Sequence, residues 1–290
     1  IPNSCGTACG IIVKDNNKHV ICVPGVPKEM EAMIDQSVIP YLENLEGSNG
    51  KGIILSKTIR ICGPGESEVE HKIRHLLHGK SNPTIAPLAF LGEVMLRITA
   101  KAHSKKEANL MIDKVEAELV ECLGSDIYGT EDDEIQHSVV RLLKEQNLTC
   151  AVAESVTGGL ISHKLTEVPG CSEILGLAVT SYSNTAKSDI LGVPLDDIEQ
   201  FGAVSKEVAL KMAKGILDLS KADIGISTTG IAGPQKDDYL HSKGLIFIGL
   251  AWRHGIACGR FQFYGSRTEI KERAAKKSLD ILRRHLLYHR

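Results

Sequence analysis

The sequence predicts an α/β protein, with a layered C-terminal α/β domain preceded by a small α+β module. Three observations predict it. Apolar runs of strand character alternate with stretches whose apolar residues recur at three- and four-residue spacing. Glycine- and proline-bearing turns separate them. The 290 residues, 42% hydrophobic and 24% charged, suffice for more than one buried core.

Three blocks follow, at 1–46, 53–129 and 134–290. In the first, Gly10–Val13 and His19–Val23 read as strands, and Met30, Met33, Ile34 and Val38 mark a helix after Pro24-Gly25-Val26-Pro27. Gly47 to Gly52 reads as a linker. In the second, Ile53–Ile61 and Val94–Ala100 alternate as strands do. Glu66–Leu77 and Lys105–Leu123 carry apolar stripes at helical spacing, so the block is a small α+β module. In the third, the acidic stretch Glu131-Asp132-Asp133 leads into a helix through Leu143. Thr149–Val152, the apolar stretch Ile174–Tyr182, Ile224–Ser227 and Leu245–Trp252 read as strands. Val208–Leu219 and Thr268–Leu287 read as helices. Strands alternating with helices predict layers.

Composition excludes several classes. Lys+Arg 34 against Asp+Glu 36 gives a formal charge of -2, so nothing marks a dedicated nucleic-acid binder, which needs a basic surface. No apolar run reaches the roughly 20 residues that cross a bilayer, and no secretory signal opens the sequence. No membrane or nucleic-acid partner is therefore expected, and a cytoplasmic or organelle-stroma location is. The eight cysteines form no CxxC pair. They read as free thiols in a reducing compartment, with no metal site.

The segment with most chemistry in it is Ala153-Glu154-Ser155-Val156-Thr157-Gly158-Gly159-Leu160. A serine ends a strand, two glycines follow and a helix begins. Unpaired N–H groups at a helix start favour negative charge, a phosphate or a tetrahedral oxyanion. Taken alone, Ser155 or Thr157 is more simply a helix cap. A serine nucleophile needs a base, and His163, His241, His254, His285 and His289 read as solvated side chains. Lys187, after Thr180-Ser181-Tyr182-Ser183-Asn184, is an alternative if burial lowers its pKa; position alone makes it a surface lysine opening a helix. The loop Thr228-Thr229-Gly230-Ile231-Ala232-Gly233-Pro234 is either a ligand cradle or a tight turn. Arg267 is either an anion clamp or a surface charge.

Taken in order, these segments resemble the competence/damage-inducible CinA family. The pieces are Ala153 to Gly159, Gly170-Cys171-Ser172, Tyr182-Ser183-Asn184 with Lys187, and Leu191-Gly192-Val193. Gly202-Ala203-Val204-Ser205, Thr229 to Pro234, Lys243-Gly244 and Gly265-Ser266-Arg267 complete them. The third block is similar to the family's nicotinamide mononucleotide deamidase (PncC-like) domain. Gly63-Pro64-Gly65-Glu66-Ser67 and Leu91-Gly92-Glu93-Val94 resemble its linker module. Gly6 to Gly10 and Val23 to Met30 resemble the end of its molybdopterin-binding-like α/β domain, so block one reads as a truncated remnant without that domain's ADP-ribose pyrophosphatase activity.

The resemblance implies that Ser155 attacks the carboxamide of nicotinamide mononucleotide. Lys187 takes and returns the proton, and Tyr182 and Ser172 support the pair by hydrogen bonding. Thr157, Gly158, Thr229 and Gly230 contribute to oxyanion or substrate binding, and Arg267 holds the substrate. It implies no cofactor and no metal, and a homo-oligomer is expected. A catalytically silent nucleotide-binding or sensor protein is the alternative, and a DNA-uptake accessory a third reading that nothing in 53–129 favours. Val156 stands where the family has cysteine, and Cys171 where it often has serine. Gln235-Lys236-Asp237-Asp238-Tyr239 replaces a glycine-rich loop.

Overall fold

Hydrophobic alternation and turn chemistry place the elements much as expected, in a computed structural model that describes residues 1–16, 18–46, 52–77, 81–233 and 243–288. Residues 47–51, where a linker or exposed turn is expected, the segment Gln235–Tyr239, His241 and His289 lie outside the described residues. The chain forms two units: Ile1–Ile54 with Lys101–Ala108, and Leu55–Ala100 with Asn109–Arg290.

In the first unit, β1 (Ile11–Asp15) and β2 (Lys18–Cys22) pair antiparallel from Ile11↔Cys22 to Asp15↔Lys18. Helix α1 (Pro27–Met33) opens with proline at a position where its missing N–H costs nothing. Pro40 stands at the second residue of α2 (Ile39–Glu46). It cannot donate to the carbonyl four residues back, and the preceding turn, Ile34–Val38, widens to a π-helix.

The second unit holds two sheets. The smaller is built from β3 (Ile53–Cys62), α3 (Glu66–Leu77), β4 (Thr84–Phe90), β5 (Glu93–Ala102), α4 (Lys105–Leu123) and β6 (Ile127–Thr130). The order β4-β5-β3-β6, with a helix in each long connection, is the split βαββαβ arrangement. The sequence reading passed over β4, which carries Pro87. A proline removes a ladder donor and is tolerated at a sheet edge, where β4 lies. It also passed over β6, too short to show a period.

The larger sheet contains β7 (Cys150–Glu154), β8 (Leu175–Thr180), β9 (Ile224–Gly230), β10 (Leu245–Trp252) and β11 (Gly255–Gln262), in the order β11-β10-β9-β7-β8. β7 runs parallel to β8 and β9; β10 is antiparallel to β9 and β11. Alternation along β7 divides two cores. Cys150 and Val152 face one with Ile224, Ile226 and the helices α5 (Ile135–Gln146), α6 (Leu160–Thr166) and α10 (Arg267–Tyr288). Ala151 and Ala153 face the other with α7 (Asn184–Leu191), α8 (Leu195–Phe201) and α9 (Lys206–Ser220). The result is a three-layer α/β/α sandwich. Helix α9 lies very close to the sheet because its neighbours lack bulk. A Cβ on Gly225 would fall 2.4 Å from Ala213 O and one on Gly249 2.5 Å from Ala209 O, while Ser227 Oγ donates to Ala209 O at 2.6 Å.

Helix α10 ties this sandwich to the smaller sheet. Arg283 donates to Ser125 O at 2.6 Å, Arg284 to Cys62 O at 2.9 Å and to Asp126 at 2.8 Å, and Lys276 pairs with Glu93 at 2.7 Å. Most of block 53–129, residues 55–100 and 109–129, therefore belongs to one unit with block 134–290. Among the described residues, no helix is long and apolar enough to cross a membrane.

Candidate active site

Thirty-two positions separate Ser155 from Lys187, and parallel strand pairing removes that distance. Glu154 of β7 lies beside Thr180 of β8, and Ser181 N–H continues the ladder to Glu154 O at 2.8 Å. The next residue on one strand end is Ser155, and the chain after the other turns into α7, capped by Ser183 Oγ accepting from Ala186 N–H. One turn into α7, Lys187 points back under the strand ends. Its Nζ is 3.2 Å from Ser155 Oγ and donates to Ser181 O at 3.0 Å and to Tyr182 O at 3.2 Å. Lys187 is 2% exposed and has no carboxylate partner among the described residues. Burial holds its pKa below the usual lysine range. A neutral amine has two hydrogens and one lone pair; the two carbonyls accept the hydrogens, and the lone pair is left for the Ser155 hydroxyl.

A pocket of about 290 Å³ opens over this pair, lined also by Tyr182, Asn184, Ala203, Val204, Gly230, Ala232 and Arg267. Arg267, the first residue of α10, donates from a terminal nitrogen to Tyr182 Oη at 2.9 Å, so a cation and a phenol form the exposed rim. Thr229 donates its hydroxyl to Ala203 O at 2.7 Å and so fixes the loop before α9 across the pocket.

Residues 132–286 match the family described as the CinA C-terminal domain, and residues 56–129 match the Damage-inducible protein CinA KH domain. A CinA-like protein of Dictyoglomus turgidum is 44% identical over 287 residues, 99% of this chain and 69% of that one. The chain belongs to the CinA family. A Clostridium tetani protein named as competence-damage inducible is also 44% identical over 287 residues, again 99% of this chain and 69% of that one. Two solved structures resemble about half of this chain. A CinA superfamily protein of Klebsiella pneumoniae has a TM-score of 0.52 at 27% identity, covering 53% of this chain and 96% of its own. A competence or damage-inducible protein of Enterobacter asburiae has 0.51 at 29%, covering 53% and 99%.

Within this CinA chain the predicted site residues part company. Ser155, Lys187, Tyr182, Thr229, Gly230 and Arg267 line one pocket. Ser172 does not. It is exposed in the 3-10 turn Cys171–Glu173 before β8, beside the start of β7, where Cys150 N–H bonds Ile174 O. The five residues of β7, roughly 16 Å of strand, separate that end from Ser155, so Ser172 cannot hydrogen-bond the pair. Thr157 is fully buried, its hydroxyl 2.8 Å from Thr228 Oγ1; it holds the turn rather than a ligand. Gly158, at φ 61, shapes the same turn, outside the pocket lining. Tyr182 meets Lys187 through its backbone carbonyl, while its hydroxyl accepts from Arg267.

The start of α6 is also not as expected. Its N–H groups are already occupied: the buried Glu154 carboxylate accepts from Gly159 at 2.9 Å, Ile161 at 3.1 Å and Ser162 at 2.9 Å, and from the Ser162 hydroxyl. One donor left for an oxyanion is the Val156 N–H, which has no partner among the described residues and belongs to the pocket wall. Sequence reasoning missed Glu154 and Ser181. A carboxylate one residue before a candidate nucleophile and five before a helix start was the available signal for the first; a backbone carbonyl acceptor leaves none.

Proposed function

We propose that the C-terminal domain deamidates nicotinamide mononucleotide to nicotinate mononucleotide and ammonia, with Ser155 as nucleophile and Lys187 as proton carrier. The single observation that carries this reading is the buried, carboxylate-free Lys187 amine 3.2 Å from Ser155 Oγ. Neutral Lys187 accepts the serine proton as Oγ attacks the carboxamide carbon. The oxygen becomes an oxyanion, for which the Val156 N–H, unpartnered among the described residues and on the pocket wall, is an available donor. Collapse breaks the C–N bond, and the Lys187 ammonium protonates the departing nitrogen, releasing ammonia. Water, deprotonated by the same amine, then cleaves the acyl ester and regenerates Ser155. Arg267 binds the substrate phosphate, for which a guanidinium fork is suited.

Ammonia release from nicotinamide mononucleotide tests this directly. Turnover is expected from the wild-type chain and not from Ser155→Ala. Binding without turnover in both would replace the amidase with a sensor, and turnover surviving the alanine change would remove Ser155 as nucleophile.

A further inference from the structure

The second unit has another cavity, of about 270 Å³, whose α10 residues begin at Arg273, about 9 Å along the helix from Arg267. Its walls are the Gly63-Pro64-Gly65 turn before α3, the β4–β5 turn with Phe90 and Gly92, Phe263, and Arg273 and Lys277 of α10. Gly92, at φ 81, lets that turn approach the helix: a Cβ there would lie 3.7 Å from Arg273 Cα.

The charges lining it are unevenly satisfied. Glu93 is held by Lys276 at 2.7 Å, by the Tyr128 hydroxyl, and by Arg60 at 3.8 Å. Lys277 lies 3.2 Å from Asp280, a carboxylate already bound by Arg283 and Arg284. Arg273 has no hydrogen bond or ion pair among the described residues, and its Nε is shut off from solvent. Arg273 lines the cavity, and its terminal nitrogens have no partner among the described residues either, so an anion entering there meets an unpaired guanidinium fork. Glu66, exposed at the first turn of α3, also lines the cavity with no cation on it. The site therefore offers a fork for an oxyanion, an acceptor for hydroxyl donors, and the ring of Phe263 for a flat apolar group.

From this arrangement we infer a second ligand site, for a nucleoside monophosphate. Arg273, supported by Lys277, takes the phosphate; Glu66 accepts from the sugar hydroxyls; the base lies against Phe263. The site is independent of the deamidase reading, and its test needs no turnover.

Calorimetric titration of the full chain with adenosine 5′-monophosphate reads it. Wild type binds, Arg273→Gln weakens binding about tenfold or more, and Lys214→Gln, at an exposed ion pair outside both pockets, leaves it unchanged. Arg273→Gln removes one of the positive charges near the exposed Glu269, and an unaltered thermal midpoint checks its fold. Glu66→Gln, an exposed change, lowers affinity for the nucleotide and not for inorganic phosphate. Absence of binding, loss with Arg267→Gln or Lys214→Gln in place of Arg273→Gln, or equal affinity for inorganic phosphate and the nucleotide would each overturn the assignment.

Discussion

Two basic side chains in this molecule are equally buried and treated in opposite ways. Arg283 and Lys187 are each 2% exposed. Arg283 faces the fully buried Asp280 carboxylate at 2.8 Å, and Arg284 and Lys277 share the same carboxylate at 2.9 and 3.2 Å. Lys187 faces two carbonyls and one hydroxyl. A buried charge needs a counter-charge or it is abandoned, and a lysine, unlike an arginine, can abandon it by losing a proton. The difference separates a cation that joins two sheets from an amine placed to exchange a proton.

The largest expected effect breaks the chemistry and spares the fold. Ser155→Ala and Lys187→Met are each expected to lower kcat for ammonia release by about 10⁴-fold or more, with urea midpoints near wild type. A lysine variant that unfolds instead would place Lys187 with Arg283 as an architectural cation.

Next comes the converse. Asp280→Asn leaves Arg283 buried without its counter-charge and is expected to cost about 3–5 kcal/mol in urea unfolding, while the rate per folded molecule holds. Unchanged stability would mean that the carbonyls of Ser125 and Ile127 suffice for Arg283, and the contrast with Lys187 would fail.

How far this was legible from sequence depends on which force placed each residue. Elements set by periodicity were legible: α3, α4 and β10 have the expected bounds. Edge strands β4 and β11 were not, because Pro87 and the glycines at 255 and 259 dilute their alternation. The Ser155–Lys187 pair came from family resemblance, since spacing alone made one a helix cap and the other a surface lysine. Strand pairing decides such a case, and pairing is not local. The same non-locality put Ser172 at the wrong end of the sheet for chemistry, though sequence lists it among neighbouring motif pieces. Thr157 was misread for a different reason: a hydroxyl in a glycine-rich turn satisfies a buried partner as readily as a ligand. Within 56–129 no Gly-x-x-Gly occurs, the loop with which KH modules clamp nucleotides.

A smaller effect is expected at the rim. Arg267→Gln is expected to raise KM for nicotinamide mononucleotide about 10- to 100-fold, with kcat little changed. Tyr182→Phe, which removes only the acceptor of one Arg267 hydrogen bond, is expected to raise it by a few-fold at most. Steady-state kinetics separates the two parameters, and a fall in kcat would move Arg267 from binding into the chemical step.

The smallest change is in pH response. Lys187 has a folded pKa below its unfolded one because burial disfavours the ammonium. Its contribution to stability is therefore fully present above the unfolded pKa and is lost as pH falls through the depressed folded value. The rate follows the neutral amine, so kcat/KM is expected to climb as pH rises through that depressed value and then level. Lys187→Met is expected to flatten that part of the stability curve. A rate that falls over the same interval would mean that the ammonium is the working form at the start of the cycle.

Arg267 opens α10, whereas the attacking hydroxyl sits at the end of β7 and its amine on α7. On the proposed mechanism, recognition and bond-breaking ride on separate pieces of secondary structure, which meet where Arg267 donates to the Tyr182 hydroxyl. Exchanging that one side chain can retune which amides enter without disturbing the proton relay. A gene lineage built on this scaffold could drift toward uncharged substrates one codon at a time, its hydrolytic machinery intact throughout.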